Sequence, residues 1–392
     1  MLELNKIHNM NCIDGMRKLE DNSVDSIVTD PPYELGFMGK SWDATGIAYS
    51  IVMWKECFRI LKPGGFLLSF GGTRTYHRMV CAIEDAGFEI RDQIQWIYGS
   101  GFPKSMDISK AIDKKYKAKR EIVGVSTRHG GGKPFADGAS GFNTDKGYIT
   151  IPTTDQAQQW DGWGTALKPA HEPIVVVRKP LSEKTVADNV LKWGTGGINI
   201  DDCRVEYNIN ESAKDLARSS QGFTSKSEIY HNDEDKYKIS SNSGNEQGRF
   251  PANVIFDEEA GKILDEQSGN SKSVKGKPRK AEIKNQTRLN NSQEVQVNCE
   301  YNDSGGASRF FYCAKASKKE RGEGNNHPTV KPIALIKYLI TLVTPPQGIS
   351  CDPFEGSGTH AKACKELGFD YIGFEKEKDY CEIAENRFEI MN

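Results

Sequence analysis

Short apolar runs alternate with helix-spaced segments at both ends of the chain, and a long polar block separates the two ends. Val24-Asp25-Ser26-Ile27-Val28 reads as a short buried strand. From Tyr49 to Leu61 apolar residues recur at helical spacing (Ile51, Trp54, Phe58, Leu61), and Lys62-Pro63-Gly64-Gly65 is expected to end that helix. Phe66 to Phe70 reads as a strand stopped by Gly71-Gly72. Thr73 to Ala86 reads as a helix, and Phe88 to Tyr98 as a further strand. The α/β pattern returns near the C-terminus. Pro332 to Val343 predicts an apolar helix, Gly348 to Asp352 a strand, Thr359 to Leu367 a helix and Tyr371 to Phe374 a strand.

Between about residues 101 and 325 glycine, serine and asparagine dominate. Pro173 to Val177 is an apolar island expected to join the main sheet. The stretches 204–248 and 267–306 are polar and weakly periodic, which suits loops, an insertion or disorder. The expected architecture is one α/β sheet drawing strands from both ends, divided as residues 1–180, an insertion at 181–325, and 326–392 of the same domain. No internal repeat is visible.

Composition narrows this only slightly. The 392 residues are 27% charged and 37% apolar, as in a globular protein carrying some poorly packing sequence. No secretory pattern opens the chain, and no apolar run approaches the roughly 20 residues that span a bilayer, so a cytoplasmic protein is expected. The nine cysteines form no Cys-x-x-Cys pair; reduced packing thiols are expected and a metal site is not. A formal net charge of −2 gives no whole-chain signal for nucleic acid. A local excess does exist: Lys272, Lys275, Lys277, Arg279, Lys280, Lys284 and Arg288 face one acid, Glu282. It suits either a solvated loop or a phosphate-tracking surface.

Two segments carry candidate chemistry. Asp352-Pro353-Phe354-Glu355-Gly356-Ser357-Gly358-Thr359 joins a strand to a helix. Its glycines let a ligand approach the backbone, and the helix presents its first amides there. Glu375, at the end of the next strand, stands where an acid commonly accepts ribose hydroxyls. Ala361 occupies the third glycine position of a dinucleotide site, and His360 stands where a phosphate loop continues differently. A nucleoside ligand without pyrophosphate remains, as does a bare strand-to-helix corner. The second segment, Asp30-Pro31-Pro32-Tyr33, follows directly on an apolar strand. An exocyclic base amine is a poor nucleophile because its lone pair is delocalised into the ring. Two fixed acceptors, the Asp30 carboxylate and the Pro31 carbonyl, would localise it, while Pro32 lacks an N–H and stiffens the loop. Tyr33 can stack on the base, worth roughly 1–3 kcal/mol, against the cost of flipping it from the duplex. Alone, the tetrapeptide reads equally as a stiff turn.

Together these segments resemble the β group of DNA amino-methyltransferases, which act on N6 of adenine or N4 of cytosine. In that family the catalytic loop reads Asp/Asn/Ser-Pro-Pro-aromatic and the cofactor turn Phe-x-Gly-x-Gly, matched by Phe354 to Gly358. His327-Pro328-Thr329-Val330-Lys331-Pro332 matches a third element, and the order of the segments is the permuted one. Gly99 to Lys104, Trp160 to Thr165 and Asn189-Val190-Leu191 look like phage-type members. The resemblance implies a Rossmann-like, circularly permuted methyltransferase fold with a mixed, mostly parallel seven-stranded sheet and an inserted target-recognition region. It implies S-adenosyl-L-methionine as cofactor, double-stranded DNA as partner, a homodimer, and a place in restriction-modification. Asp30, Pro31, Pro32 and Tyr33 would be catalytic. Asn11, Cys12, Asp30, Thr329, Lys331, Asp352, Phe354, Gly356, Gly358, Thr359 and Glu375 would surround the cofactor, with Lys331 and Thr329 at its carboxylate end. Asp in the first loop position favours N6 of adenine; N4 of cytosine is the alternative. Two positions depart from the pattern: His360, where Thr is frequent, and Glu355, which adds charge near the sulfonium. Enzymes acting on protein glutamine or RNA also use related loops, but with Asn first and an unpermuted order.

Overall fold

The computed structural model describes residues 2–35, 41–101, 105–125, 148–206, 248–272, 279–282, 294–297, 303–314 and 330–389. Among these, nine strands make the main sheet: β1 (Lys6–Asn9), β2 (Val24–Thr29), β3 (Leu61–Phe70), β4 (Glu89–Ile97), β5 (His171–Arg178), β6 (Val254–Asp257), β7 (Tyr312–Ala314), β8 (Ile349–Asp352) and β9 (Asp370–Glu375). Their order is β1-β9-β8-β2-β3-β5-β4-β6-β7. All neighbours pair parallel except β3 with β5 and β5 with β4, so β5 alone runs the other way.

The alternation of side chains along β3 and β5 covers both faces. Leu67, Val175 and Val177 enter a core shared with Met16, Trp54 and Ile83 from the helices Cys12–Met16, Ile51–Ile60 and Tyr76–Asp85. Phe66, Leu68, Phe70, Ile174 and Val176 enter a second core with the helices Ile333–Val343 and Thr359–Leu367. The helix Ile333–Val343 is apolar almost all round, as a helix sunk in a core must be. Ser50 caps the helix Ile51–Ile60 by accepting from the Met53 amide.

That helix ends at Ile60, and Lys62-Pro63-Gly64-Gly65 belongs to β3 rather than to a terminating turn. Gly64 has φ +81°, and a Cβ there would lie 2.4 Å from the Asn189 amide nitrogen. The same Asn189 nitrogen donates to the carbonyls of Pro63 and Thr195 at 2.8 Å, so β3 starts as an irregular strand clamped by the segment after β5. The sheet also has nine strands where seven were expected. The outer pair, β6 and β7, comes from the 181–325 block. These strands are only 4 and 3 residues long and stand among polar sequence, so their pattern is too brief to read. Among the described residues no helix is long and apolar enough to cross a membrane.

Candidate active site

Because β2 is parallel to its neighbours, the loop after Thr29 opens at the carboxyl edge of the sheet. Ligands of open α/β sheets gather there. Asp30 Oδ2 lies 2.5 Å from Lys331 Nζ. Its other oxygen, Oδ1, is buried without a hydrogen-bond partner, an unusual condition for a carboxylate. Tyr33 donates its hydroxyl to Glu172 at 2.8 Å, and its carbonyl accepts from the Thr75 hydroxyl at 2.7 Å. Burial, with Asp30 and Glu172 nearby, pushes the Tyr33 phenol well above its ordinary pKa. The chain beyond is tied down by acids. Asp43 accepts from the amides of Glu34 and Leu35, and Glu34 from that of Gly46.

Lys331 sits over the rings of Tyr33 and Phe70, at 5.3 and 4.9 Å from their centroids. Its ammonium is 3.4 Å from Glu172 as well as beside Asp30. Burial opposes its charge, but Asp30 and Glu172 outweigh burial and raise its pKa. The residue expected at the cofactor's carboxylate end thus stands within the catalytic loop's own ion cluster.

The glycine turn forms the other wall. Asp352, at the end of β8, accepts from the Thr29 hydroxyl at 2.6 Å and from the Phe354 amide at 2.9 Å. It therefore staples the two candidate segments together from opposite ends of the chain. Burial, then Glu355, pushes its carboxyl up to about 7. Glu375, at the end of β9, accepts from the Gly356 amide at 2.8 Å and the Glu377 amide at 2.7 Å. Burial raises it to about 7 despite these bonds. Each of its oxygens keeps a lone pair for a further donor. Gly358 has φ +80°, and a Cβ on it would lie 2.7 Å from that of Ala384; it serves the docking of the helix Lys378–Glu389. Arg387 on that helix donates to the Ser357 carbonyl and the Thr359 hydroxyl.

The two departures from the family pattern, Glu355 and His360, are partners. His360 Nδ1 stands 3.2 Å from Glu355, whose other oxygen accepts from the Ala361 amide at 2.7 Å. Burial works against a charged imidazole, but Cys364 and Glu355 overcome it and raise the ring's pKa. The ring's far nitrogen meets Ser350 at 2.9 Å, and Ser350 bonds Ser26 at 3.0 Å. Glu355 thus turns its charge inward against the helix Thr359–Leu367. The donor atoms of Asp352, Glu355 and His360 lie within 4.8 Å of one another, but these internal bonds already engage them.

One cavity of about 480 Å³ joins both walls. Of the expected residues, Asn11, Cys12, Asp30, Pro31, Pro32, Tyr33, Lys331, Asp352, Phe354, Gly356, Thr359 and Glu375 line it. Gly358 does not, and Thr329, like His327, lies outside the described residues. Asn11 caps the helix Cys12–Met16, and burial pushes the Cys12 thiol up to about 12, so it is neutral. Trp160 and Trp163 pack edge to face, with centroids 5.1 Å apart, on an exposed surface. Most of the basic run 272–288 lies outside the described residues. Sequence reading missed His171, Glu172, Tyr98 and Asp43, which also line the cavity. No sequence signal marks His171 and Glu172, because they reach the site through the direction of β5. A strand that enters the sheet reversed brings its first residues, not its last, to the reactive edge.

A family model described as DNA methylase matches residues 24–386. The type II methyltransferase M.HindIII of Haemophilus influenzae is 24% identical over 427 residues, covering 98% of this chain and 95% of that protein. M.HpaI of Haemophilus parainfluenzae is 33% identical over 112 residues, 26% of this chain and 35% of that one. Among solved structures, the M1.HpyAVI–SAM complex is 16% identical with a TM-score of 0.39, covering 97% of this chain and 98% of that one. The cytosine-N4-specific PvuII DNA methyltransferase is 12% identical with a TM-score of 0.46, covering 98% and 86%.

Proposed function

The chain belongs to the DNA methylase family, and on that premise we propose that it transfers a methyl group from S-adenosyl-L-methionine to N6 of adenine in duplex DNA. The observation that carries the reading is Asp30, whose Oδ1 is buried without a hydrogen-bond partner and which lines the same cavity as the Gly356–Glu375 pair. An acceptor left bare in a protein interior is costly unless a ligand's donor meets it.

The residues present suit the cofactor. The cavity falls in the range of small-molecule sites, roughly 300–1,000 Å³. Glu375 offers spare lone pairs for ribose hydroxyls, Phe354 and the Asn11–Cys12 segment offer walls for the adenine, and Gly356 and Thr359 border the methionine part. When bound, S-adenosylmethionine supplies an electrophilic methyl carbon on a sulfonium. Asp30 and the Pro31 carbonyl accept from the two amino hydrogens and localise the nitrogen's lone pair, with Tyr33 beneath the base. A methylated amine would have to shed one proton, and Asp30 is the carboxylate at hand to take it. Catalysis is then positioning and charge placement, with no covalent enzyme intermediate.

Asp rather than Ser at position 30 supports adenine over cytosine. The 181–325 block is assigned to reading sequence, and the chain to acting as a homodimer. The test supplies labelled cofactor with DNA, RNA and protein, then digests the DNA to nucleosides. N6-methyladenine in DNA is expected. N4-methylcytosine would overturn the choice of base, and label in protein alone would overturn the function.

A further inference from the structure

We propose that Glu172 is a positioning residue of this site: it fixes the Tyr33 hydroxyl and shares the Lys331 ammonium with Asp30. The inference rests on the reading above and deepens it.

Glu172 reaches the site only because β5 is reversed. It pairs in register with Trp96 near the carboxyl end of β4 and stands beside His171 at the cavity wall. One of its oxygens does two things, accepting from Tyr33 at 2.8 Å and lying 3.4 Å from Lys331. Lys331 in turn is 2.5 Å from Asp30 Oδ2. Tyr33, Glu172, Lys331 and Asp30 therefore form one continuous chain of contacts. Its free end is the unpartnered Asp30 Oδ1.

Each link has a consequence. A phenol held at its far end cannot swing, so the ring keeps the plane on which a base stacks. An ammonium drawn by two carboxylates is anchored on the Oδ2 side, which leaves Oδ1 to the incoming amine. Two carboxylates on one cation also leave the cluster net negative, which favours the positive charge that grows on the attacked nitrogen. The groups facing the ammonium are Asp30, Glu172, Tyr33 and Tyr98, the last linked electrostatically to Lys331.

Glu172→Gln preserves shape and an acceptor for Tyr33 but removes the second negative charge. In the full chain, the Lys331 ammonium pKa, read by NMR of lysine-labelled protein, should fall by about one unit or more. The alkaline limb of kcat should move down with it, and kcat should drop about tenfold while cofactor binding changes less than about twofold. Tyr33→Phe removes only the hydroxyl and should raise KM for DNA. Combined with Glu172→Gln, its effect should be less than the product of the two. An unmoved lysine pKa in Glu172→Gln overturns the inference whatever the wild type does. Should that variant fail to fold, Tyr33→Phe with wild-type kcat and KM overturns it instead. Absence of DNA methylation by the wild-type chain overturns the proposed function, and the lysine pKa still scores Glu172.

Discussion

Replacing Asp30 with alanine removes the carboxylate at the centre of the site. The expected loss follows from what its two oxygens do. Oδ1 is buried without a partner and is proposed to accept from the base amine, and Oδ2 holds Lys331 at 2.5 Å. A hydrogen bond to a charged group contributes about 1.5–3 kcal/mol, a factor of about 10 to 150. Misalignment of the nucleophile in a displacement adds up to about 10²-fold. Their product places the fall in kcat between about 10- and 10⁴-fold. The fold should survive, because Glu172 stays 3.4 Å from Lys331 and keeps that buried ammonium balanced. Cofactor affinity should change less than about threefold, since Glu375 and Gly356 are untouched and 2.8 Å apart as before. The assay is single-turnover transfer from labelled cofactor at saturation, with cofactor binding measured separately by calorimetry. Undiminished transfer would refute the role given to Asp30. Cofactor affinity lost in step with turnover would refute the separation of the two walls.

Glu375→Ala should weaken cofactor binding about 10- to 100-fold by titration calorimetry, by removing acceptors for two hydroxyls; an unchanged affinity would remove Glu375 from the ribose site. Glu375 has a pKa of about 7 and is expected to bind ribose as the carboxylate, so affinity should fall toward tenfold per pH unit below about 7. Calorimetry near pH 7 in buffers of different ionisation enthalpy should show proton release, and none would count against this. For stability the sign is reversed. The raised carboxyls of Glu375 and Asp352 favour the folded state below their ordinary values near 4, and that contribution is lost as pH rises through about 7. His360→Ala should cost about 3–5 kcal/mol in denaturant melts by leaving buried Glu355 without its partner, and a loss under about 0.5 kcal/mol would show that Glu355 does not depend on it. Gly358→Ala should destabilise by over about 1 kcal/mol, through φ +80° and the Ala384 contact, with a neutral melt as the contrary result.

The strands that carry the site were legible because they are mostly buried apolar runs. The run Val24–Thr29 ahead of the proline-rich loop is buried throughout, and Ser350 to Asp352 ahead of the glycine-rich one is buried too. The helix Thr359–Leu367 was readable to the residue, since Gly358 and Gly368, both left-handed, mark its ends. What stayed hidden depends on partners far along the chain. Glu172 looks like any acid before an apolar run until β5 is known to be reversed. Glu355 and His360 looked like separate anomalies because side-chain pairing across a turn leaves no periodic trace. β6 and β7 were missed because 4 and 3 residues cannot display a period.

The pairing of β2 with β8 has a consequence for how the chain is made. Ser26 and Ser350 bond across a separation of 324 residues, and β2 has β8 on one side and β3 on the other. During synthesis β2, which leads into Asp30, emerges about 320 residues before its neighbour β8. Until then one edge of β2 carries open amides and carbonyls in an apolar setting, a template for pairing with other chains. Closing so long a loop also slows the final collapse. A chain cut short before residue 349 would therefore be an aggregation-prone fragment without transfer activity.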